Sequence, residues 1–225
     1  MRTPLKTCAW ALLLLLCCPP AKPDDAPSPE LRRLADGVDK HYNSLTSLQV
    51  NFSESFRGGG LARTESGKMW LKKPGRMRWE YETPVSKLFL TNGKVAWFYV
   101  PGERQARRAS IHGLGDLRSP LRYLLGHTKL EKEFSGLAFS NGQPDRAGDV
   151  SITGVPKGME DRVSRVDLEI TPDHQICRIS IYSLDGSVTE FRFRDERDNV
   201  PIANQRFQFV PPPGVEVLEA KELEP

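Results

Sequence analysis

Beyond Cys18 this 225-residue chain holds one cysteine, Cys177, and a lone thiol cannot close an internal disulfide. The fold must therefore be held by its apolar core. Cys177 lies in the strand-like run Gln175-Ile176-Cys177-Arg178-Ile179-Ser180-Ile181, where a small core residue is expected rather than a nucleophile. Net charge is scarce too: +3 for the whole chain, and +1 once Arg2 and Lys6 are set aside. That balance offers nothing to a phosphate backbone, so no nucleic-acid partner is expected. The four histidines, His41, His112, His127 and His174, show no metal-ligand spacing. The chain has no glycine-rich phosphate loop, nucleophile elbow or CxxC pair. Asp195-Glu196-Arg197-Asp198 reads as a charged loop. No enzymatic activity, cofactor or metal site is expected.

Long hydrophobic runs are missing as well. The longest, Cys8 to Cys18, covers about eleven residues, whereas a membrane-spanning helix needs roughly 20. Preceded by Arg2 and Lys6, it has the form of a secretory signal peptide. Residues 1–21 are expected to be removed near Ala21, which directs the protein to the periplasm. The alternative is lipidation at Cys17 or Cys18. Residues 22–27 read as a disordered tether, 28–217 as one domain and 218–225 as a flexible tail.

What remains is rich in alternation. Ser28-Pro29-Glu30 combines an N-cap, a proline at the first helical position and an acid in the first turn. Leu31, Leu34, Ala35, Val38, Tyr42 and Leu45 then recur at helical spacing, which predicts a helix with one apolar stripe. Leu48, Val50, Phe52 and Phe56 alternate with polar residues, the mark of a half-buried strand. Gly58-Gly59-Gly60 reads as a hairpin connection. Strands are also predicted around Trp70 and Trp79, at Asp149–Val155, Arg165–Thr171, Ile176–Tyr182 and Val188–Arg194, with a closing strand at Asn204–Val210. Between Ser110 and Phe134, glycines and the Ser119-Pro120 step predict short helices, one carrying Leu121, Leu124 and Leu125. Two basic clusters, Lys72-Lys73-Arg76-Arg78 and Arg104-Arg107-Arg108, read as solvated faces or as a docking patch for an acidic partner or lipid head groups.

The densest apolar stretch runs from Leu71 to Tyr99. Asn92-Gly93 is a strong hairpin signal, and pairing about it sets Leu90 opposite Val95 and Leu88 opposite Trp97. Alternation then places Leu88, Leu90, Val95, Trp97 and Tyr99 on one face. The inventory of one long helix, short helices and about 9–11 antiparallel strands predicts an α+β fold dominated by a strongly curved, unclosed β-barrel lidded by helices.

The run from Gly67 through Tyr99 resembles the outer-membrane lipoprotein carrier family (LolA), in its aromatic strand, basic-proline step, aromatic-rich strand and hairpin ending Trp-Phe-Tyr. Phe207-Gln208-Phe209-Val210 and Pro213-Gly214-Val215 are similar to the family's C-terminal strand and tail. The resemblance implies a half-barrel that binds the acyl chains of lipoproteins, with no cofactor. Its implied partners are an ATP-driven (ABC-type) inner-membrane lipoprotein release complex and an outer-membrane lipoprotein receptor. The implied cavity lining is Met77, Trp79, Tyr81, Leu88, Leu90, Trp97 and Tyr99, with Leu121, Leu124 and Leu125 in the lid and the protein acting as a monomer. Where the family carries an arginine before the proline, as a latch to lid-helix carbonyls, this chain has Lys73. Alternatives in keeping with the same pattern are the lipid-anchored receptor of that pathway, a carrier of free lipids or glycolipids, and a lipoprotein-sensing regulatory module.

Overall fold

The computed structural model describes residues 27–110, Leu124, 129–220 and Leu223. The predicted signal peptide and all but the last residue of the tether lie outside them, as do Leu121, Leu125 and most of the predicted mid-chain helices.

Helix α1 spans Pro29–Ser44, and Ser28 Oγ caps it by accepting from the Leu31 amide at 3.2 Å. Its stripe of Leu31, Ala35, Val38 and Tyr42 is buried. Twelve strands follow in the described residues: β1 (Ser47–Gly58), β2 (Leu61–Lys72), β3 (Arg76–Thr83), β4 (Lys87–Thr91), β5 (Val95–Tyr99) and β6 (Gln105–Ser110). The second set is β7 (Phe134–Phe139), β8 (Val150–Pro156), β9 (Val163–Ile170), β10 (Ile176–Ser183), β11 (Val188–Asp198) and β12 (Glu216–Glu219). A one-turn helix, α2 (Leu130–Glu133), precedes β7.

The strands form one long, unclosed, curved sheet in the order β12-β6-β5-β4-β3-β2-β1-β11-β10-β9-β8-β7. Two antiparallel meanders, β1–β6 and β7–β11, join where β1 pairs with β11. Only β12 is parallel to its neighbour, β6. Because side chains alternate, each strand offers one set to the face that packs with α1, here called the inner face. Leu48, Val50 and Phe52 of β1, Met69 and Leu71 of β2, and Val166, Leu168 and Ile170 of β9 join α1 in a single core.

Several expectations differ from the structure, among them Asp195-Glu196-Arg197-Asp198, which closes strand β11 instead of forming a charged loop. Asn204–Val210 is not a strand: Asn204–Phe207 forms a 3-10 turn and the chain crosses the outer face. Phe207 and Phe209 alternate as strand residues would, but they reach down to Trp70 and to Trp97 and Tyr99. Carbonyls here and just before are met by side chains, Arg206 by Arg78 Nη1 and Ile202 by Lys72 Nζ. Leu218 and Glu219, assigned by sequence to a flexible tail, pair with Arg107 and Arg108 in the sheet.

Candidate functional site

At the centre of the inner face is a wall of aromatic rings. Met77, Trp79 and Tyr81 alternate along β3 and are all buried. The Phe52 ring on β1 meets Trp79 at 4.7 Å and Tyr81 at 5.0 Å, both edge-on, and Phe191 on β11 meets Trp79 at 6.0 Å. Phe191 in turn stacks on Phe193 at 6.4 Å. Phe52 and Tyr81 touch across an intervening strand because Gly67 of β2 lies between them in register. A Cβ on Gly67 would fall 1.8 Å from the Glu80 carbonyl oxygen. The buried indole N–H of Trp79 donates to Met77 Sδ, so no polar atom of the ring is left bare.

The seven residues expected to line one cavity divide into two sets. Register pairs Trp79 with Phe89 and Tyr81 with Lys87, which places Phe89 on the inner face and Leu88 and Leu90 on the outer face. Across the next turn Leu88 pairs with Tyr99 and Leu90 with Trp97. Leu88, Leu90, Trp97 and Tyr99 therefore share a face, as alternation predicts, but it is the face opposite Met77, Trp79 and Tyr81. There the Phe209 ring covers Trp97 and Tyr99, at 5.3 Å from each, and the Arg108 guanidinium lies over Trp97. The turn centre lies one residue further along than expected, so each partner shifts by two: Leu90 faces Trp97 rather than Val95, and Leu88 faces Tyr99 rather than Trp97. Gly93 and Lys94 are its central pair, with Gly93 at φ 92, while the Asn92 side chain accepts from the amides of Lys94 and Val95.

Inner-face residues that sequence reasoning passed over are Phe52, Phe89, Phe98, Phe191 and Phe193. Phe52, Phe191 and Phe193 were visible as strand alternation, but nothing local says that strands so far apart in sequence become neighbours. Of the three residues expected in a lid, only Leu124 is among those described, and it is buried in the same core.

The C-terminal end of α1 is fastened to the sheet by polar contacts. Lys73 Nζ donates to the carbonyls of Tyr42 (2.8 Å) and Asn43 (3.0 Å), and partial burial pulls its pKa below the ordinary lysine value. His41 Nε2 lies 2.9 Å from Glu196 and 3.7 Å from Asp198 of β11. The hydrogen bond to Glu196 raises the His41 pKa, while burial raises that of Glu196. Tyr42, fully buried, donates its hydroxyl to Glu196 and accepts the Ile176 amide at 2.8 Å. Closer to the middle of the helix, Asp39 accepts the Leu130 amide at 3.1 Å and so ties α2 to α1; burial lifts its pKa to about 6. Lys73, just after β2, thus bonds to carbonyls in the last turn of α1.

Among the described residues two groups have donor atoms close enough for a metal, His41-Glu196-Asp198 and Asp149-Glu169-Cys177. Both are already paired internally, His41 with Glu196 and the Cys177 thiol with Asp149. Two cavities bounded by described residues, of about 380 and 190 Å³, share Asp195 and Glu196 in their linings and do not touch Trp79 or Tyr81. No helix among the described residues is long and apolar enough to cross a membrane.

The family model described as outer membrane lipoprotein carrier protein LolA matches residues 43–210. An outer-membrane lipoprotein carrier protein of Chromobacterium violaceum is 26% identical over 174 residues, covering 76% of this chain and 81% of that protein. One from Nitrosospira multiformis is 29% identical over 161 residues, 70% of this chain and 74% of that protein. Among solved structures, a conserved protein of Thermus thermophilus aligns at TM-score 0.55 over 85% of this chain and 99% of its own, at 12% identity. That likeness extends the fold well beyond recognisable sequence similarity.

Proposed function

The chain belongs to the outer-membrane lipoprotein carrier family LolA, and from that premise we propose that it binds the acyl chains of lipoproteins against its inner face and shuttles them across the periplasm. Cargo is received from an ABC-type release complex at the inner membrane and handed to a receptor at the outer membrane. The observation that carries this reading is the aromatic wall of Phe52, Trp79, Tyr81 and Phe191 lying in one core with the stripe of α1.

The physical need is large. Each buried methylene is worth about 0.8 kcal/mol, so a sixteen-carbon chain left in water costs on the order of 12 kcal/mol. A carrier must supply an apolar surface of comparable area, yet stay soluble when empty. Here the rings satisfy one another, and α1 is fastened at one end by polar contacts of Lys73, His41 and Tyr42. Swinging that helix away would expose rings for acyl chains. Because wall and bilayer are both apolar, transfer onward needs little net free energy.

Leu88, Leu90, Trp97 and Tyr99 have no place in this binding wall, since they lie on the outer face, where Trp97 and Tyr99 meet Phe209. Native mass spectrometry of the protein purified from its own cells tests the proposal. Acylated polypeptide co-purifying with a mature chain that starts near Lys22 is the expected result. A free lipid or glycolipid in its place, or a lipid-modified Cys17 or Cys18 at the mature N-terminus, would overturn it.

A further inference from the structure

At the end of the inner face away from the Lys73 latch, two glutamates are buried directly opposite each other. Glu54 of β1 and Glu65 of β2 pair in register, and each is 7% exposed. Like charges placed directly across a ladder repel, and each carboxylate loses its water. Folding alone gains nothing from this choice over a pair of apolar residues. The cost is offset by named partners. Tyr81 donates its hydroxyl to Glu54 Oε2 at 2.9 Å, and Lys87 Nζ lies 2.6 Å from one Glu65 oxygen and 2.7 Å from the other. The Lys87 ammonium also sits over the Tyr81 ring, 4.3 Å from its centre.

Tyr81 therefore belongs both to the apolar wall and to this polar cluster. An amphiphile lying along Trp79 and Phe52 would bring its polar end to Glu54 and Glu65. What it meets there is acceptor-rich. Lys87 is committed to Glu65, and Arg63, which reaches Glu54 Oε1 and Glu65 only at 3.8 Å, keeps 61% of its side chain in solvent. Burial raises the pKa of Glu54, in keeping with a carboxylate that would gain from another hydrogen-bond donor.

We propose that Glu54 and Glu65 select cargo at the polar end of the acyl-binding face, accepting amide N–H groups at the junction of an acylated polypeptide and turning away anionic lipids. This rests on the carrier reading above and deepens it. An acyl chain amide-linked to a peptide presents N–H donors at that junction, whereas a phosphate or carboxylate lipid presents acceptors and negative charge to two buried carboxylates.

Displacement of a neutral fluorescent acyl probe provides the test, with three competitors of equal chain length. These are N-palmitoyl-glycylglycine amide, monopalmitoylglycerol and hexadecanesulfonate, the last anionic at every working pH. For the unaltered protein the acylated peptide should bind about tenfold more tightly than the sulfonate, the scale of one charge-assisted hydrogen bond. In the Glu54→Gln, Glu65→Gln double variant, shown folded by its thermal transition, that ratio should fall below about threefold. If the double variant does not fold, Glu54→Gln alone is read the same way. An unchanged ratio, or no preference in the unaltered protein, overturns the selectivity role and leaves the carrier reading standing. Failure of every acyl competitor to bind would overturn both.

Discussion

Lys73 Nζ lies 2.8 Å from the backbone carbonyl oxygen of Tyr42, although the two residues are 31 positions apart. The last carbonyls of a helix have no partner within it, and a cation there also meets the negative end of the helix dipole. Lys73 reaches two end carbonyls at once, Tyr42 O, which also accepts the Leu45 amide at 3.4 Å, and Asn43 O at 3.0 Å. Replacing it by methionine keeps the stem and removes the donors. We expect Lys73→Met to cost about 1–2 kcal/mol, lowering the thermal midpoint by roughly 3–6 °C for a domain of this size. Hydrogen exchange in α1 should quicken more than in β1 and β2, and Lys73→Arg should restore most of the loss. Equal protection of α1 in the methionine variant would show that the contact does not hold the helix.

The spacing of Lys73 from Tyr42 illustrates what the sequence could and could not tell. Local periodicity identified α1, its Ser28 cap and strands β8 to β11, though not β7, because those signals are written in neighbouring residues. The sharing of one face by Leu88, Leu90, Trp97 and Tyr99 was equally legible. Which face it was depended on the register between β3 and β4, set by Tyr81 opposite Lys87. In Lys87-Leu88-Phe89-Leu90-Thr91 both parities carry large apolar residues, so composition cannot choose between them. The outer set is stabilised by Phe209, from a segment more than a hundred residues later. Alternation at Phe207 and Phe209 looked like a strand for the same reason: aromatic residues that pin a crossing chain obey the same period as those in a ladder.

Gly67 makes a second prediction. It lies in register between Phe52 and Tyr81, and a side chain there would meet the Glu80 backbone rather than a flexible tip. Gly67→Ala must therefore move β2 or β3 and part the two rings now 5.0 Å apart. A destabilisation of about 2–4 kcal/mol is expected, with loss of near-ultraviolet circular dichroism from the Trp79 cluster. A well-folded alanine variant with an unchanged aromatic spectrum would contradict the close approach.

The His41–Glu196 contact carries a pH dependence. Hydrogen bonding to Glu196, then the nearby charges of Glu196, Asp198 and Asp173, outweigh burial and raise the His41 pKa above its ordinary 6.5. A histidine that binds its proton more tightly when folded stabilises the fold fully below 6.5 and loses that contribution as pH rises through the folded value. Glu196, raised by burial, has the same sign. The thermal midpoint should therefore fall between about pH 6 and pH 8.5 by more in the unaltered protein than in His41→Gln. Parallel pH profiles for the two would remove His41 from the latch.

Cys177 tests the electrostatics of the outer face. Its thiol lies 3.5 Å from Asp149 Oδ2 and 3.4 Å from the Glu169 carbonyl oxygen. Burial first, and then the charges of Glu169 and Asp149, push its pKa up to about 12. At pH 8 the thiolate fraction is then roughly one in ten thousand, against about one in ten at the ordinary value of 9.0. Higher basicity returns part of that loss as nucleophilicity, so alkylation by iodoacetamide should be about fifty-fold slower than for an unhindered thiol. Mass analysis of the peptide containing Cys177 follows this site alone. Asp149→Asn removes one negative neighbour without changing volume and should speed the reaction several-fold, because the thiolate then faces Glu169 without a second charge beside it. A rate at the level of free cysteine would mean that Cys177 stands clear of both carboxylates.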